Sequence, residues 1–570
     1  MQKVQTIQGL NLQSPTTQVV ISDISQSEDL LKLLNLIQGF HPIFINEYKL
    51  EARLLTISSK LPSIWRECAD TFRKLSKAEI TYEEAKDYVL DTVIKQKVKS
   101  MSTIPILYKA HQLGYETTLT IADEGIIPGV AGGYSYTWNR YYTLGSGKGS
   151  QITCSISSTK DSTFGMKTQR DKWSTNKIIE RMGLPLPKWN TLDSIEELDR
   201  IWDEYEKPVV IKPTGLTGGS GVSVGIDNKE KAHKAFDYAQ QQITLKNRSS
   251  WQKKIMIQEQ VQGHEDGSDY RLLVIDGTLK VCTRRIPAFV IGDGKNNIRE
   301  LIDVLNEDPR RNISDPSHIL KPIVFDEPLD SFLAKQSLTL DSVPNKDTKI
   351  YVRGVASMSR GGITQDYTKD VSPEIKSIVE SIASTMHVFA LGVDIMCKDI
   401  SKPLTKDNGA ILEVNTMPES YLNFFPIIGE VQEEALTFYV TQLLDQNHTQ
   451  KHVVIGQSTQ DIPTLLRKKL GMSKGMNMGV YRDGKIIINN SEFSNNVETW
   501  KAVEALKINA GLDVIILQYR DLDEVREYGL GFDKLDTLYI TPEIKTHKEE
   551  IKVFKKYKRK ELIKSIKVMK

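Results

Sequence analysis

Cysteine is scarce. There are four in 570 residues, Cys68, Cys154, Cys282 and Cys397, far apart and without a CxxC pair. That excludes a disulfide framework and a thiolate zinc site, and it fits a reducing compartment. An excess of one charge is also lacking: 75 Lys and Arg stand against 73 Asp and Glu, a net +2. No global field therefore steers the chain to nucleic acid or to a membrane. No apolar run approaches the roughly 20 residues that span a bilayer, and the opening MQKVQTIQGLNLQSPTTQ has no apolar signal core. The expectation is a soluble, cytoplasmic chain without membrane or nucleic-acid partners. Tandem repeats and low-complexity blocks are absent as well. With 39% hydrophobic and 26% charged residues the chain is not disordered. Its length implies three or four lobes of about 100–200 residues each.

A Walker A loop is missing too. That motif needs GxxxxGK[ST] between a strand and a helix. LGSGKGSQ, at 144–151, has a Gly-Lys pair but no glycine at the required offset before it. VVIKPTGLTGGSGVSVGI, at 209–226, has its lysine ahead of the glycines and a second β-rich run behind them. The second stretch reads instead as a glycine-rich flap between antiparallel strands, whose N–H groups can meet phosphates. Lys212 ends an otherwise apolar strand, where an ammonium calls for an anion. A surface hairpin with a snorkelling lysine is the alternative.

Two further constellations stand out. GVDIM and LEVN read as buried strands, and side chains two apart share a face. Glu413 and Asn415 therefore point the same way, and Asp394 on the neighbouring strand can join them. Two carboxylates and an amide oxygen are hard ligands suited to magnesium on nucleotide phosphates. The other constellation is cationic: Lys172, Arg271, Arg284, Arg285 and Arg353, most of them at ends of apolar strands. Arg284 and Arg285 alternate faces, and Arg285 is taken as the one facing the site.

The rest of the chain gives local structure. Ser25 with Glu28, and Thr81 with Glu84, have capping-box spacing before apolar-periodic runs. DKWSTNKIIERMG reads as a helix stopped at Gly183. Asp276-Gly277 divides YRLLVIDGTLKVCTRRIP into a hairpin. The lysine-rich end, VFKKYKRKELIKSIKVMK, reads as a solvated helix.

Together, Asp171-Lys172, VVIKP with its glycine loop, QEQV, DYRLLVIDG and GVD…LEVN resemble the ATP-grasp carboxylate–amine ligases. RRIPAFVIGDGKNNIRELIDVLNEDPRR and QSLTLDSVPNKDTKIYVRGVASMSRGGITQDYT are similar to the signature shared by the cyanophycin synthetases and the ATP-grasp half of bifunctional glutathione synthetases. The resemblance spans about 120–430. It implies ATP with Mg²⁺, and Lys172, Lys212, Gly218, Gly219, Ser220 and Gly221 on the phosphates. Glu259, Gln260 and Val261 would meet adenine, with Asp269 or Glu265 on the ribose. Asp394, Glu413 and Asn415 would hold magnesium. Arg285, Arg353 and Lys212 would be catalytic, and Arg271, Ser359, Gly361 and Gly362 would hold substrate. MGVYRDGKIII and LDVIILQYRDLDEVREYGLGFDKLDTLYIT resemble the Mur-ligase-like half of cyanophycin synthetases. VVIGQSTQ, however, replaces the GTNGKTT expected there, so a second ATP site is not expected.

The implied architecture is an α/β and α+β multidomain chain. It has an N-terminal α/β domain over 1–165, an ATP-grasp domain over 166–446 and a truncated Mur-ligase-like α/β domain over 450–570. The implied activity is amide formation through an acyl phosphate on amino acid or peptide substrates, in a homo-oligomer (dimer or tetramer). A glutathione-type tripeptide ligase and a non-catalytic ATP-binding scaffold are the alternatives. The SMSRGG loop and Pro418-Glu419 depart from the cyanophycin synthetase pattern, which places the difference on the substrate side.

Overall fold

The computed structural model describes residues 2–94, 98, 100–122, 140–168, 171–216, 220–245, 254–261, 269–315, 318–415, 421–444, 448–457, 462–469 and 475–569. Contacts divide the chain into two compact units. One comprises Met1–Glu124, Asn139–Cys154 and Val440–Lys570, so the stretches read above as first and last domains share a unit. The other includes the continuous stretch Ser155–Tyr439.

The unit that includes Ser155–Tyr439 holds two antiparallel sheets that carry the site. The first is built from β1 (Trp189–Leu192), β2 (Val209–Pro213), β3 (Ser223–Ile226) and β4 (Ile255–Glu259), in the order β3-β2-β4-β1. Val209, Ile211, Ile255 and Ile257 bury one face against Phe236 and Ala239 of a helix, Lys229–Leu245. Alternation alone would leave Lys212 on the opposite face, but it too is only 9% exposed.

The second sheet comprises β5 (Asp269–Ile275), β6 (Thr278–Ile286), β7 (Ile363–Asp366), β8 (Ala390–Cys397) and β9 (Gly409–Asn415), in the order β7-β6-β5-β8-β9. Asp276 and Gly277 both take positive φ, 47° and 71°, the conformation of a tight type I′ hairpin between β5 and β6. Tyr270, Leu272, Val274, Val393 and Ile395 pack with Ile375, Val379, Ile382 and Met386 of a helix, Pro373–Met386. Each fully buried aliphatic side chain there contributes about 1.5–3 kcal/mol. Ser372 caps that helix, Pro373 opens it, and His387 ends it at φ 51°. The alternate positions of these strands, Asp269, Arg271, Arg285 and Asp394, are polar and face the other way.

In the discontinuous unit, strands Val4–Ile7, Gln18–Ser22, Leu54–Ser58 and Glu47–Glu51 form an antiparallel sheet backed by the helix Pro62–Ser76. A seven-stranded sheet from the C-terminal stretch has five parallel strands: Met478–Arg482, Val514–Tyr519, Gln450–Ile455, Leu535–Ile540 and Ile563–Val568. Residues from opposite ends of the chain pair directly. The Gln8 amide donates to Tyr528 O at 3.0 Å, Leu10 to Phe532 O at 2.9 Å and Gly531 to Gln8 O at 2.9 Å. A Cβ on Gly9 would lie 2.2 Å from Phe532 O, so only glycine admits this approach. Leu10 is fully buried in the C-terminal core.

Thr81 and Glu84 form a reciprocal capping box. The other expected box is corrected. The helix Glu28–Gln38 is capped by Ser27, whose hydroxyl accepts from the Leu30 amide at 3.2 Å, not by Ser25. Glu28 is thus the first helical residue rather than the third, beyond the reach of a box.

Candidate functional site

The site is assembled by cross-strand register. Arg271 on β5 faces Asp394 on β8, and Asp394 faces Glu413 on β9. Two residues along, Arg285 on β6 faces Asp269 on β5. Alternation places all five on one face. A register shift between Asp394 and Ile395 adds a residue to β9, after which Asn415 pairs with Gly392.

Charge on this face is tightly connected. Arg271 grips Asp394 with Nε on Oδ1 and Nη2 on Oδ2. Arg285 Nη2 lies 2.5 Å from Asp269 Oδ1 and 3.1 Å from Asp394 Oδ2. Burial pushes the Asp394 carboxyl up, but the two guanidiniums outweigh it and hold the group below its ordinary value. Burial and the Asp394 charge raise Asp269 against the pull of Arg285. Burial works against the Arg285 charge, but both carboxylates hold it firmly cationic. Arg284 points elsewhere: it lies over the Tyr367 ring, with Nη1 3.3 Å from the hydroxyl.

Lys172 joins this face to the first sheet. It is the first residue of a helix, Lys172–Arg181, capped by Asp171. Its amide donates to Thr214 O at 3.1 Å, and its ammonium donates to Leu216 O at 2.9 Å and pairs with Glu413 at 3.1 Å. Thr214 and Leu216 lie just before the glycine loop. Lys212, at the end of β2, has no hydrogen-bonded or ion-paired partner for its ammonium among the described residues. Burial, and then the Lys172 charge, lower it to about 8, with Glu413 opposing. The buried Thr214 Oγ1 also has no partner among the described residues. An unpartnered ammonium and an unpartnered hydroxyl two residues apart in the chain call for an oxyanion.

Gly218 and Gly219 lie outside the described residues, as does Glu265. Gly221 has φ 74°, and a Cβ there would lie 2.8 Å from Pro213 Cγ. At the far end of β4, Gln260 Oε1 accepts from the Gly225 amide at 2.6 Å, tying the strand exit to β3. The Gln260 amide donates to Pro208 O at 3.1 Å, and the Glu259 carboxylate accepts from the Glu206 amide at 3.3 Å. Val261 is half-buried beside them.

Arg353, Ser359, Gly361 and Gly362 form a separate group. Arg353 pairs with Asp326 at 2.5 Å, and Arg360 pairs with the same carboxylate at 2.8 Å. Asp326 also caps the helix Glu327–Lys335. Ser359 shares a 2.9 Å hydrogen bond with Ser357, and Arg311 donates to Gly361 O at 3.2 Å. Gly361 has φ 91°, with Ile323 Cγ1 2.4 Å from where a Cβ would stand. Sequence reasoning missed Thr214, Asp326, Arg311 and Arg360. Asp326 had a signal, the aspartate–glutamate–proline opening of a helix. Arg311 and Arg360 act through contacts distant in sequence.

No ligand defines these groups, so their donor sets decide what they fit. Among the described residues, no cluster of three or more His, Cys, Asp or Glu is placed to hold a metal ion. Asp394, Glu413 and Asn415 instead offer two carboxylates and one amide. Asp394 Oδ1 accepts one hydrogen bond and Oδ2 two, which leaves a lone pair on Oδ1. That set suits a hard divalent cation shared with phosphate oxygens.

A strand-borne lysine thus stands before a glycine loop, and paired carboxylates line one face of the second sheet. Residues 170–277 match the family model described as phosphoribosylglycinamide synthetase, ATP-grasp (A) domain. The chain is similar to cyanophycin synthetases: it is 31% identical over 428 residues to that of Synechocystis sp., covering 74% of this chain and 47% of the relative. It is 30% identical over 274 residues to the glutathione biosynthesis bifunctional protein of Clostridium perfringens, covering 48% of this chain and 33% of that one. The solved bifunctional glutathione synthetase of Pasteurella multocida aligns at a TM-score of 0.44 with 22% identity, over 65% of this chain and 47% of that one. The chain spans at most about half the length of these curated relatives.

Proposed function

We propose that the chain is an ATP-dependent carboxylate–amine ligase acting on amino acids or peptides. The observation that carries this is Lys212: a buried ammonium without a partner among the described residues, lowered to about 8, at the root of a glycine loop. Lys172 ties that root to Glu413.

In the proposed reaction a substrate carboxylate oxygen attacks the γ-phosphorus of ATP, and ADP leaves with the electrons of the broken P–O bond. The acyl phosphate that forms is then attacked by a deprotonated amine. The C–O bond to phosphate breaks, inorganic phosphate leaves and an amide remains. The protein's contribution is mostly positioning and charge neutralisation. Lys212 and Lys172 would hold phosphate oxygens, with Ser220, Gly221 and the glycine backbone around them. Glu259, Gln260 and Val261 would border the adenine, and Asp269 the ribose. Asp394, Glu413 and Asn415 would hold magnesium, which neutralises phosphate charge. Arg285 and Arg271, on the same face, would meet the transferred phosphoryl group and the substrate carboxylate. Arg353 is committed to Asp326, so its part would be to fix the loop that carries Ser359, Gly361 and Gly362. The C-terminal stretch resembles a Mur-ligase-like layer without a phosphate loop, and a single active centre follows from that resemblance. Cytoplasmic residence and a homo-oligomer belong to the same proposal; no helix among the described residues is long and apolar enough to cross a membrane.

The test is phosphate release from ATP with Mg²⁺ across pairs of amino acids and short peptides, with products identified by mass. Release that needs a carboxylate and an amine together, and that is lost in Lys212→Ala and Glu413→Ala, supports the ligase. Full activity in either variant refutes the assignment. ATP binding without turnover in any pair would favour a scaffold.

A further inference from the structure

The last helix carries an uneven charge. Residues 548–570 contain ten Lys and Arg and three Glu, a net +7. The whole chain is +2, so everything before them sums to −5. The helix Lys548–Arg559 buries Phe554 and Tyr557 and turns Lys548, Lys552, Lys555, Lys556 and Arg559 outward. Only Lys552 is ion-paired within that stripe, with Glu549 at 2.6 Å. Among the described residues, Lys548, Lys555, Lys556, Lys558, Arg559 and Lys567 have no ion pair. Some exposed helix cations elsewhere are matched, as in Lys231–Asp227 and Lys234–Glu230. Like charges three and four apart repel. The helix dipole accounts for cations in the last turn but disfavours Lys548 at the first position.

We propose that this stripe is a docking surface for an extended acidic polypeptide. The stripe spans about 16 Å, the length of roughly five residues of extended chain. Helix side chains three or four apart stand about 5–6 Å apart, close to the roughly 7 Å between same-side residues of a strand. Lysine point charges suit carboxylates. The single arginine gives little of the forked geometry that recognises phosphates. The helix aromatics are turned inward, Phe554 fully buried and Tyr557 donating to Asn11 O at 2.6 Å, so bases find nothing to stack on. The apolar face is likewise committed to the core and cannot enter a bilayer.

The test uses the full chain without ATP, so it reports independently of ligase activity. Poly-L-aspartate, duplex DNA and phosphatidylserine vesicles are titrated at several salt concentrations. Poly-L-aspartate is expected to bind most tightly of the three, with affinity falling as salt rises. The triple reversal K555E/K556E/R559E is expected to weaken it roughly tenfold or more, with the melting temperature kept because all three side chains are exposed. The reversal K335E/K346E/K369E, at exposed lysines of the other unit, is expected to bind like the parent. The proposal is overturned if poly-L-aspartate does not bind, if the first reversal binds as tightly as the parent, if both reversals weaken binding equally, or if DNA or vesicles bind more tightly.

Discussion

Replacing Lys212 with methionine should abolish nucleotide binding and, in the ligand-free protein, raise stability. Methionine keeps most of the buried stem and removes the charge. The ammonium is held at about 8 against an ordinary 10.5, so its charged form is disfavoured in the folded state. At about 1.4 kcal/mol per pH unit, that difference amounts to roughly 3 kcal/mol. The sign fixes the pH window. Between about 8 and 10.5 the unfolded chain holds more protons than the folded one, so parent stability rises with pH there. Below about 8 both forms are protonated, and the variant keeps its full advantage. The advantage closes as pH approaches 10.5. A domain of this size shifts by about 2–4 °C per kcal/mol, so the variant should melt on the order of 5–10 °C higher at neutral pH. Thermal melts of both proteins from neutral pH to beyond 10.5, with and without MgATP, read this directly. MgATP should raise the melting temperature of the parent only. A variant that melts lower than the parent at neutral pH, or an advantage that does not shrink with pH, would refute the idea that the ammonium is held ready for an anion.

Three further outcomes are expected. Asp394→Asn leaves Arg271 and Arg285 facing a neutral amide and should cost about 3–5 kcal/mol in urea melts. Because Asp394 lies below its ordinary value, its contribution is present above the unfolded carboxylate range and is lost as pH falls through the folded value. Gly361→Ala meets both a φ of 91° and Ile323 Cγ1, and should lower stability by about 1–3 kcal/mol in thermal melts. His452 is buried with Nδ1 unpartnered, and burial lowers it to about 4 from 6.5, so the folded state resists its protonation. Stability of the discontinuous unit should fall as pH drops from 6.5 to 4, and His452→Leu should flatten that fall in urea melts followed by circular dichroism.

Local features were legible wherever a short stretch decides its own geometry. Asp276-Gly277 names a hairpin because two consecutive positive φ angles suit few other pairs. GVDIM and LEVN announce two buried strands, and period-two alternation puts Glu413 and Asn415 on one side. Partner choice was less legible. Nothing near Asp394 signals that Arg271 and Arg285 will share it, because β5 and β6 lie more than 100 residues earlier in the chain. Arg353 looked like a free cation at a strand end. Its commitment to Asp326 depends on where a helix cap falls in three dimensions. Ser25 is not the cap because the helix starts two residues later than its spacing implies, where Ser27 takes the Leu30 amide. The sharing of one unit by the two ends of the chain rests on backbone pairing across more than 500 residues, which no local pattern encodes.

That pairing sets an order of events during synthesis. Gln8 and Leu10 are made almost at once, but their partners Tyr528 and Phe532 come more than 500 residues later. At about 5–20 residues per second the early segment waits roughly half a minute to two minutes. The stretch Ser155–Tyr439 is complete well before then and can fold while the ribosome is still working. During that interval the first hundred residues expose the surface around Leu10 that Phe532 and its neighbours later cover. A chain stalled after residue 439 but before residue 532 therefore presents a finished Ser155–Tyr439 unit and an unfinished second unit, and it is the unfinished one which a chaperone or protease would recognise.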